Sequence, residues 1–214
     1  MWGMIEAVSA AVLAGGRSRR LPQGKAWATL ADGRPFVQRV VDVLAGIADE
    51  LFIIANDSRF GSLGVPVFAD DYPDGGPLGG IATALRRAST ERVLVAACDM
   101  PFMSAAVWRF LVERADPDCD AVVPVIAGRW QVLHAMYTHA ALPTLSAALR
   151  SGDLTLETAV RRLRVRLVAE EDVRAVDPRL RSFTNVNTAD DLLRARSADT
   201  AGPGGCCPRA PSGR

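Results

Sequence analysis

Chemistry in this chain is concentrated in a few short clusters, the first being Leu13-Ala14-Gly15-Gly16-Arg17-Ser18-Arg19-Arg20, with Lys25 a few residues later. An apolar run from Val8 leads straight into it. Adjacent glycines let a backbone turn sharply and approach a ligand, because neither carries a Cβ. Their N–H groups and the cations that follow suit an anion such as phosphate. A strand that empties into such a loop lies where open α/β sheets collect their ligands, at the carboxyl end. The spacing matches neither the G-x-G-x-x-G fingerprint nor the G-K-[ST] phosphate loop. A tight turn whose arginines face water is the plainer alternative.

Three further clusters add to the first. Asp99, in Cys98-Asp99-Met100-Pro101, directly follows an apolar run. A carboxylate there can hold a divalent metal in the crevice or cap the next helix, and a nearby phosphate cradle suits Mg²⁺ bridging a triphosphate. Gly76-Pro77-Leu78-Gly79-Gly80 follows the turn-rich stretch Asp70 to Gly75 and opens an apolar helix, whose N-terminus offers a second anion site. Asn185 and Asn187 alternate along a short extended segment, so both can face one side, or they are turn formers before the helix that Thr188 caps.

The elements that must position these residues alternate between strand and helix. Strands are expected over Val8 to Leu13, Leu51 to Ala55, Val65 to Phe68, Arg92 to Ala97, Asp120 to Ile126, Trp130 to Tyr137, Arg164 to Val168 and Phe183 to Val186, with a turn at Gly128-Arg129. Helices are expected from Pro35, from Leu78, over Ser104 to Ala115, Ala140 to Arg150 and Leu154 to Leu163, and from Thr188. The predicted class is α/β, a single three-layer α/β/α Rossmann-like domain with a mostly parallel sheet over residues 1–196 and a disordered tail over 197–214.

The chain has 214 residues, 49% of them hydrophobic, enough for one real core. Its formal net charge of +1 provides no broad field for nucleic acid or an anionic membrane surface, so neither is an expected partner. No apolar run reaches the length of a membrane span and the first residues lack a signal-peptide pattern, so the expected location is cytoplasmic. Cys98, Cys119, Cys206 and Cys207, with His134 and His139, form no zinc pattern.

Taken in order, Leu13-Ala14-Gly15-Gly16-x-Ser18-x-Arg20-x-x-x-x-Lys25, Gly76-Pro77-Leu78-Gly79-Gly80, Cys98-Asp99-Met100-Pro101 and Asn185-Val186-Asn187-Thr188-x-Asp190-Asp191-Leu192 resemble the molybdenum cofactor guanylyltransferase family over nearly the whole ordered chain. The resemblance implies the GT-A-like nucleotidyltransferase fold. It also implies transfer of GMP from GTP to molybdenum-molybdopterin with Mg²⁺, giving the guanine dinucleotide cofactor and pyrophosphate. Leu13, Ala14 and Gly15 would then contact the nucleotide, with Lys25 neutralising phosphate. Asp70 would be the acid that helps bind the nucleotide, Asp99 the metal ligand, and Arg20 the cation facing the leaving pyrophosphate.

Gln131-Val132-Leu133-His134-Ala135-Met136-Tyr137 is similar to the family strand that faces the pterin. That makes Gln131, His134, Asn185 and Asn187 candidates for the pterin side, although a lone strand histidine is commonly a packed side chain. The expected protein is a monomer, with molybdoenzymes or other cofactor-biosynthesis proteins as further partners.

The chain departs from the family within the loop itself. Members commonly read Arg-Met-Gly-x-Asp-Lys, where this chain has Arg20-Leu21-Pro22-Gln23-Gly24-Lys25, so the acid before the lysine is absent. Cytidylyl relatives read Leu-Ala-Ala-Gly where this chain has Gly15, which leans toward guanine. The alternatives are a cytidylyl- or sugar-phosphate nucleotidyltransferase of the same fold, or a nucleotide-binding regulator without turnover.

Overall fold

The computed structural model describes residues 7–15, 24–152 and 155–200. Its first strand, β1 (Val8–Leu13), is paired in parallel on both sides, with β2 (Glu50–Ile54) and with β4 (Arg92–Ala97). Beyond β2 lies the two-residue β3 (Val67–Phe68), also parallel. Beyond β4 the sheet continues with β7 (His134–Thr138), the one strand running against the rest of the central sheet, and then β5 (Ala121–Ile126) and β8 (Val165–Val168), which are parallel to each other. β6 (Arg129–Trp130) folds back on the end of β5.

Both faces of β1 are covered, which is why its sequence is apolar on both sides rather than alternating, apart from Ser9, whose buried hydroxyl bonds Glu50 and Thr90. Val8, Ala10 and Val12 belong to one core, with α1 (Phe36–Ala45), α3 (Ala105–Glu113) and α6 (Glu170–Arg174). Ala11 belongs to the opposite core, with α2 (Gly76–Arg87), α4 (Leu142–Arg150) and α5 (Leu156–Val160). The predicted three layers and mostly parallel sheet are observed. A third, smaller cluster of Ala28, Leu30, Phe36, Val186 and Ala195 fastens α7 (Ala189–Thr200) beside the first helix. No helix among the described residues is long and apolar enough to cross a membrane.

Several boundaries differ from expectation. The stretch Trp130 to Tyr137 is not one strand, because the His134 N–H turns back to the Gln131 carbonyl at 2.9 Å and separates β6 from β7. The β5–β6 hairpin turns on Ala127 and Gly128, both at positive φ, one residue earlier than the sequence suggests. Phe183 to Val186 forms no strand. A 3₁₀ turn occupies Arg181–Phe183 after Leu180 at φ 51°, and the Val186 N–H goes to the Asp99 carbonyl at 3.0 Å instead of a ladder. The short α6 escaped sequence reading because it has little apolar periodicity. Its signals are acids at 170, 171 and 172 in the first turn and a Glu170–Arg174 pair at 2.6 Å.

Two packing features carry most of the local specificity. Gly79 and Gly80 lie inside α2, where glycine is otherwise unfavourable. A Cβ at Gly79 would meet the Tyr72 carbonyl oxygen at 2.6 Å, whereas one at Gly80 would meet only the Leu13 side chain, at 3.3 Å. His134, opening β7, is fully buried, with its ring stacked on Trp108 at 4.1 Å and tilted against Phe183 at 4.6 Å. Burial pushes its pKa down to about 3 against the opposing pull of Asp177, so it sits neutral in the core.

Each feature predicts a measurable stability effect. Gly79→Ala should lower the urea unfolding free energy by about 1–3 kcal/mol, and Gly80→Ala by clearly less, since a side chain moves more cheaply than a carbonyl. A histidine whose folded pKa is depressed contributes stability that is complete above its unfolded value and is lost as pH falls toward the folded one. Unfolding free energy should therefore drop by about 1.4 kcal/mol per pH unit below about 6.5. His134→Phe should flatten this slope between about pH 6.5 and 5, above the range where most carboxylates titrate.

Candidate functional site

β1 and β4 leave the sheet side by side. Leu13 is opposite Ala97, and the Cys98 N–H reaches the Leu13 carbonyl at 3.3 Å. The chain runs from β1 to β2 on one side and returns to β4 on the other, so the carboxyl ends of β1 and β4 flank a topological switch point, where crevices open in α/β sheets. Ala14 is held there by its N–H to the Ile54 carbonyl at 3.0 Å. Gly15 beyond it is exposed, and a Cβ on it would meet no atom of the described residues within 4 Å. Among the described residues, none therefore demands a glycine at this position.

Lys25 enters the same crevice. Gly24 before it has φ 82° and ψ 147°, a conformation essentially confined to glycine. The backbone requires this residue where family members carry an acid. A 3₁₀ turn over Lys25–Trp27 follows, fixed by buried Ala26 and by Trp27 stacked on Phe60 at 5.2 Å. The Lys25 Nζ then donates to Asp99 Oδ2 at 3.3 Å and to Asn187 Oδ1. The side chains of Lys25 and Asp99 are 29% and 18% exposed, so their attraction is only partly screened by water.

The C-terminal partner of this cluster is fixed by its own helix cap. The Asp191 carboxylate accepts the N–H groups of Asn187 at 3.1 Å and Thr188 at 3.0 Å, while the Asp191 N–H donates to the Thr188 hydroxyl at 3.1 Å. Contact with the Thr188 hydroxyl, then the Asn187 amide, holds the Asp191 carboxyl below the usual carboxylate range. The predicted cap at Thr188 is thus present. It also presents Asn187 to Lys25, a relation sequence reading missed because nothing local links residues 162 positions apart. Burial and the neighbouring Asp99 carboxylate push the Cys98 thiol up to about 12, which disfavours its thiolate.

The other candidates are dispersed. Asp70 Oδ1 accepts the Tyr72 N–H and the Thr83 hydroxyl, both at 2.9 Å, and so braces the loop into α2. Gln131 is half-buried in the turn between β6 and β7, where its side-chain amide donates to the Arg129 carbonyl at 3.2 Å. Asn185 is exposed, two residues before Asn187. His134 must be corrected: stacked between Trp108 and Phe183 at 0% exposure, it does not face the crevice and presents no nitrogen to a ligand. Arg20, with Gly16 to Gln23, and residues 201–214 of the expected tail lie outside the described residues, whereas residues 197–200 of that tail are the last turn of α7.

Among the described residues no three His, Cys, Asp or Glu side chains gather as a metal site. The Asp99 carboxylate nevertheless places a hard oxygen donor beside the Lys25 ammonium, a donor that suits Mg²⁺ or Mn²⁺ when phosphate oxygens and water supply the remaining ligands.

Residues 10–170 match the family model of the MobA-like NTP transferase domain. The chain is 36% identical over 200 residues to the molybdenum cofactor guanylyltransferase of Desulfosudis oleivorans, an alignment covering 92% of this chain and 98% of that one. Among solved structures it is similar to molybdopterin-guanine dinucleotide biosynthesis protein A of Archaeoglobus fulgidus, with a TM-score of 0.78, 29% identity and coverage of 90% and 98%. Rv0371C of Mycobacterium tuberculosis, solved in complex with manganese, shares the fold at a TM-score of 0.66 and 18% identity, with coverage of 90% and 99%. The chain thus belongs to the family of MobA-like NTP transferases that includes the molybdenum cofactor guanylyltransferases.

Proposed function

We propose that this protein transfers GMP from GTP to the terminal phosphate of molybdenum-molybdopterin, releasing pyrophosphate, as a single catalytic unit acting in the cytoplasm. The observation that carries the proposal is the meeting of Lys25, Asp99 and Asn187 at the switch point where β1 ends in the half-buried Leu13 and Ala14 and the exposed Gly15. Relatives named molybdenum cofactor guanylyltransferase match over most of the chain and supply the substrate class.

In this reading a phosphate oxygen of the pterin attacks the α-phosphorus of GTP. A P–O bond forms there, and the bond to the bridging oxygen of the β-phosphate breaks to release pyrophosphate. No covalent help from the protein is required, so positioning and electrostatics dominate. The backbone of Leu13, Ala14 and Gly15 holds the guanine nucleotide, with Asp70 bracing the facing loop. Lys25 places its ammonium on phosphate charge, and Arg20 faces the departing pyrophosphate. Asp99 holds a divalent cation, Mg²⁺ in this proposal, which when bound neutralises the triphosphate and makes pyrophosphate a better leaving group. Gln131 and Asn185 are proposed for the pterin side of the crevice.

Two outcomes follow. With molybdopterin and Mg²⁺ supplied, GTP should support pyrophosphate release and CTP at least tenfold less; equal rates would remove the guanine assignment, and no release with any nucleoside triphosphate would leave a binding protein. Gly15→Ala should unfold within about 0.5 kcal/mol of the parent, because its Cβ meets no atom of the described residues. It should nevertheless raise the KM for GTP severalfold, as read from initial pyrophosphate rates.

A further inference from the structure

Lys25 shares its ammonium between a carboxylate and a neutral amide. Its 3.3 Å contact with Asp99 Oδ2 is long for a charge-assisted hydrogen bond, ordinarily about 2.7–2.9 Å. Asn187 Oδ1 is its second partner. Gly24 offers no carboxylate in the preceding position. Two cations on one carboxylate oxygen repel each other. A divalent ion taking Asp99 must therefore loosen Lys25, yet the same lysine has to stay in the crevice to meet phosphate.

We propose that Lys25 and the divalent cation compete for Asp99, and that Asn187 is the positioning residue that keeps the Lys25 ammonium in the crevice when the cation takes the carboxylate. The inference rests on Asp99 being the cation ligand, as read above. Asn187 is suited to this duty because it is both fixed and uncharged. Its N–H is held by Asp191, and the preceding Val186, fully buried in the small third cluster, donates to the Asp99 carbonyl at 3.0 Å. The anchor and the contested carboxylate therefore share one backbone link. A neutral oxygen keeps the ammonium without adding negative charge that would bind it too tightly to release toward phosphate. The C-terminal segment is thereby a working wall of the nucleotide site as well as a lid on the small cluster.

The test titrates Mn²⁺ alone into the full chain, following the electron paramagnetic resonance signal of the free ion. Lys25→Met should bind Mn²⁺ roughly three- to tenfold more tightly than the parent, because a competing charge is gone. Asn187→Ala should bind it severalfold more weakly, since the lysine then settles on Asp99. Adding Lys25→Met to Asn187→Ala should abolish that weakening. In turnover, Asn187→Ala should raise the KM for GTP at low Mg²⁺ and recover at saturating Mg²⁺, with Asn187→Gln intermediate. A role confined to docking α7 would lower the melting temperature of both Asn187 variants and leave the order of Mn²⁺ affinities as in the parent. Mn²⁺ binding that is no tighter in Lys25→Met, or equally weak in Asn187→Ala with and without Lys25, overturns the competition. Asp99→Asn separates the two levels: parental Mn²⁺ binding there overturns the assignment of Asp99 itself, whereas lost binding with unchanged Lys25 and Asn187 variants overturns the competition alone.

Discussion

Parallel pairing of β1 with β4 is the constraint on which the site depends. It sets Leu13 opposite Ala97, so the Leu13-Ala14-Gly15 backbone and the Asp99 carboxylate emerge from neighbouring strands at the same height. Parallel strands need a crossover to return, and here that crossover contains β2, β3 and α2. The reversal of strand order that opens the crevice is thus a consequence of how the chain is wound. Asp99 then needs only a two-residue step beyond β4 to reach the anion site.

The glycines that suggested a ligand loop divide into separate physical duties. Gly79 is required by the Tyr72 carbonyl and Gly24 by its backbone conformation, so both serve the protein's own geometry. Gly15 is different, with space around it that no described residue fills. Motif matching treats these three positions alike, yet of the three Gly15 is the one that the described residues do not require. The absent acid before Lys25 has a similar explanation: a glycine-only conformation at position 24 directs the lysine, and Asp99 and Asn187 supply its partners.

Buried and half-buried polar groups separate core from site. His134 and Tyr137 lie on the same strand, both fully buried, and desolvation keeps both neutral. Lys25 and Asp99 remain partly exposed, so neither side chain is sealed in the core and each can exchange partners. A sequence shows that a strand contains a histidine; whether its ring meets water or Trp108 depends on what packs above it.

The amino-acid sequence by itself determined the alternation of strands and helices, the three layers, the loop after β1, the carboxylate after β4 and the cap at Thr188. Each of these rests on interactions a few residues long: periodic burial, turn chemistry and helix termini. It left α6 hidden, because an acidic first turn and one ion pair stabilise that helix without apolar periodicity. It also overextended one strand, at Trp130 to Tyr137, and placed another at Phe183 to Val186 where none forms, because the apolar residues there belong to a turn or to docked coil. Only the tertiary structure decided that β7 inserts antiparallel between β4 and β5, that His134 turns into the core, and that Asn187 meets Lys25 and Asp99. Those outcomes are contacts between distant segments, 74 and 162 positions apart in the case of Lys25, and no local periodicity encodes them. Competition among whole packing arrangements selects them, and one sequence read locally does not reveal which arrangement prevails.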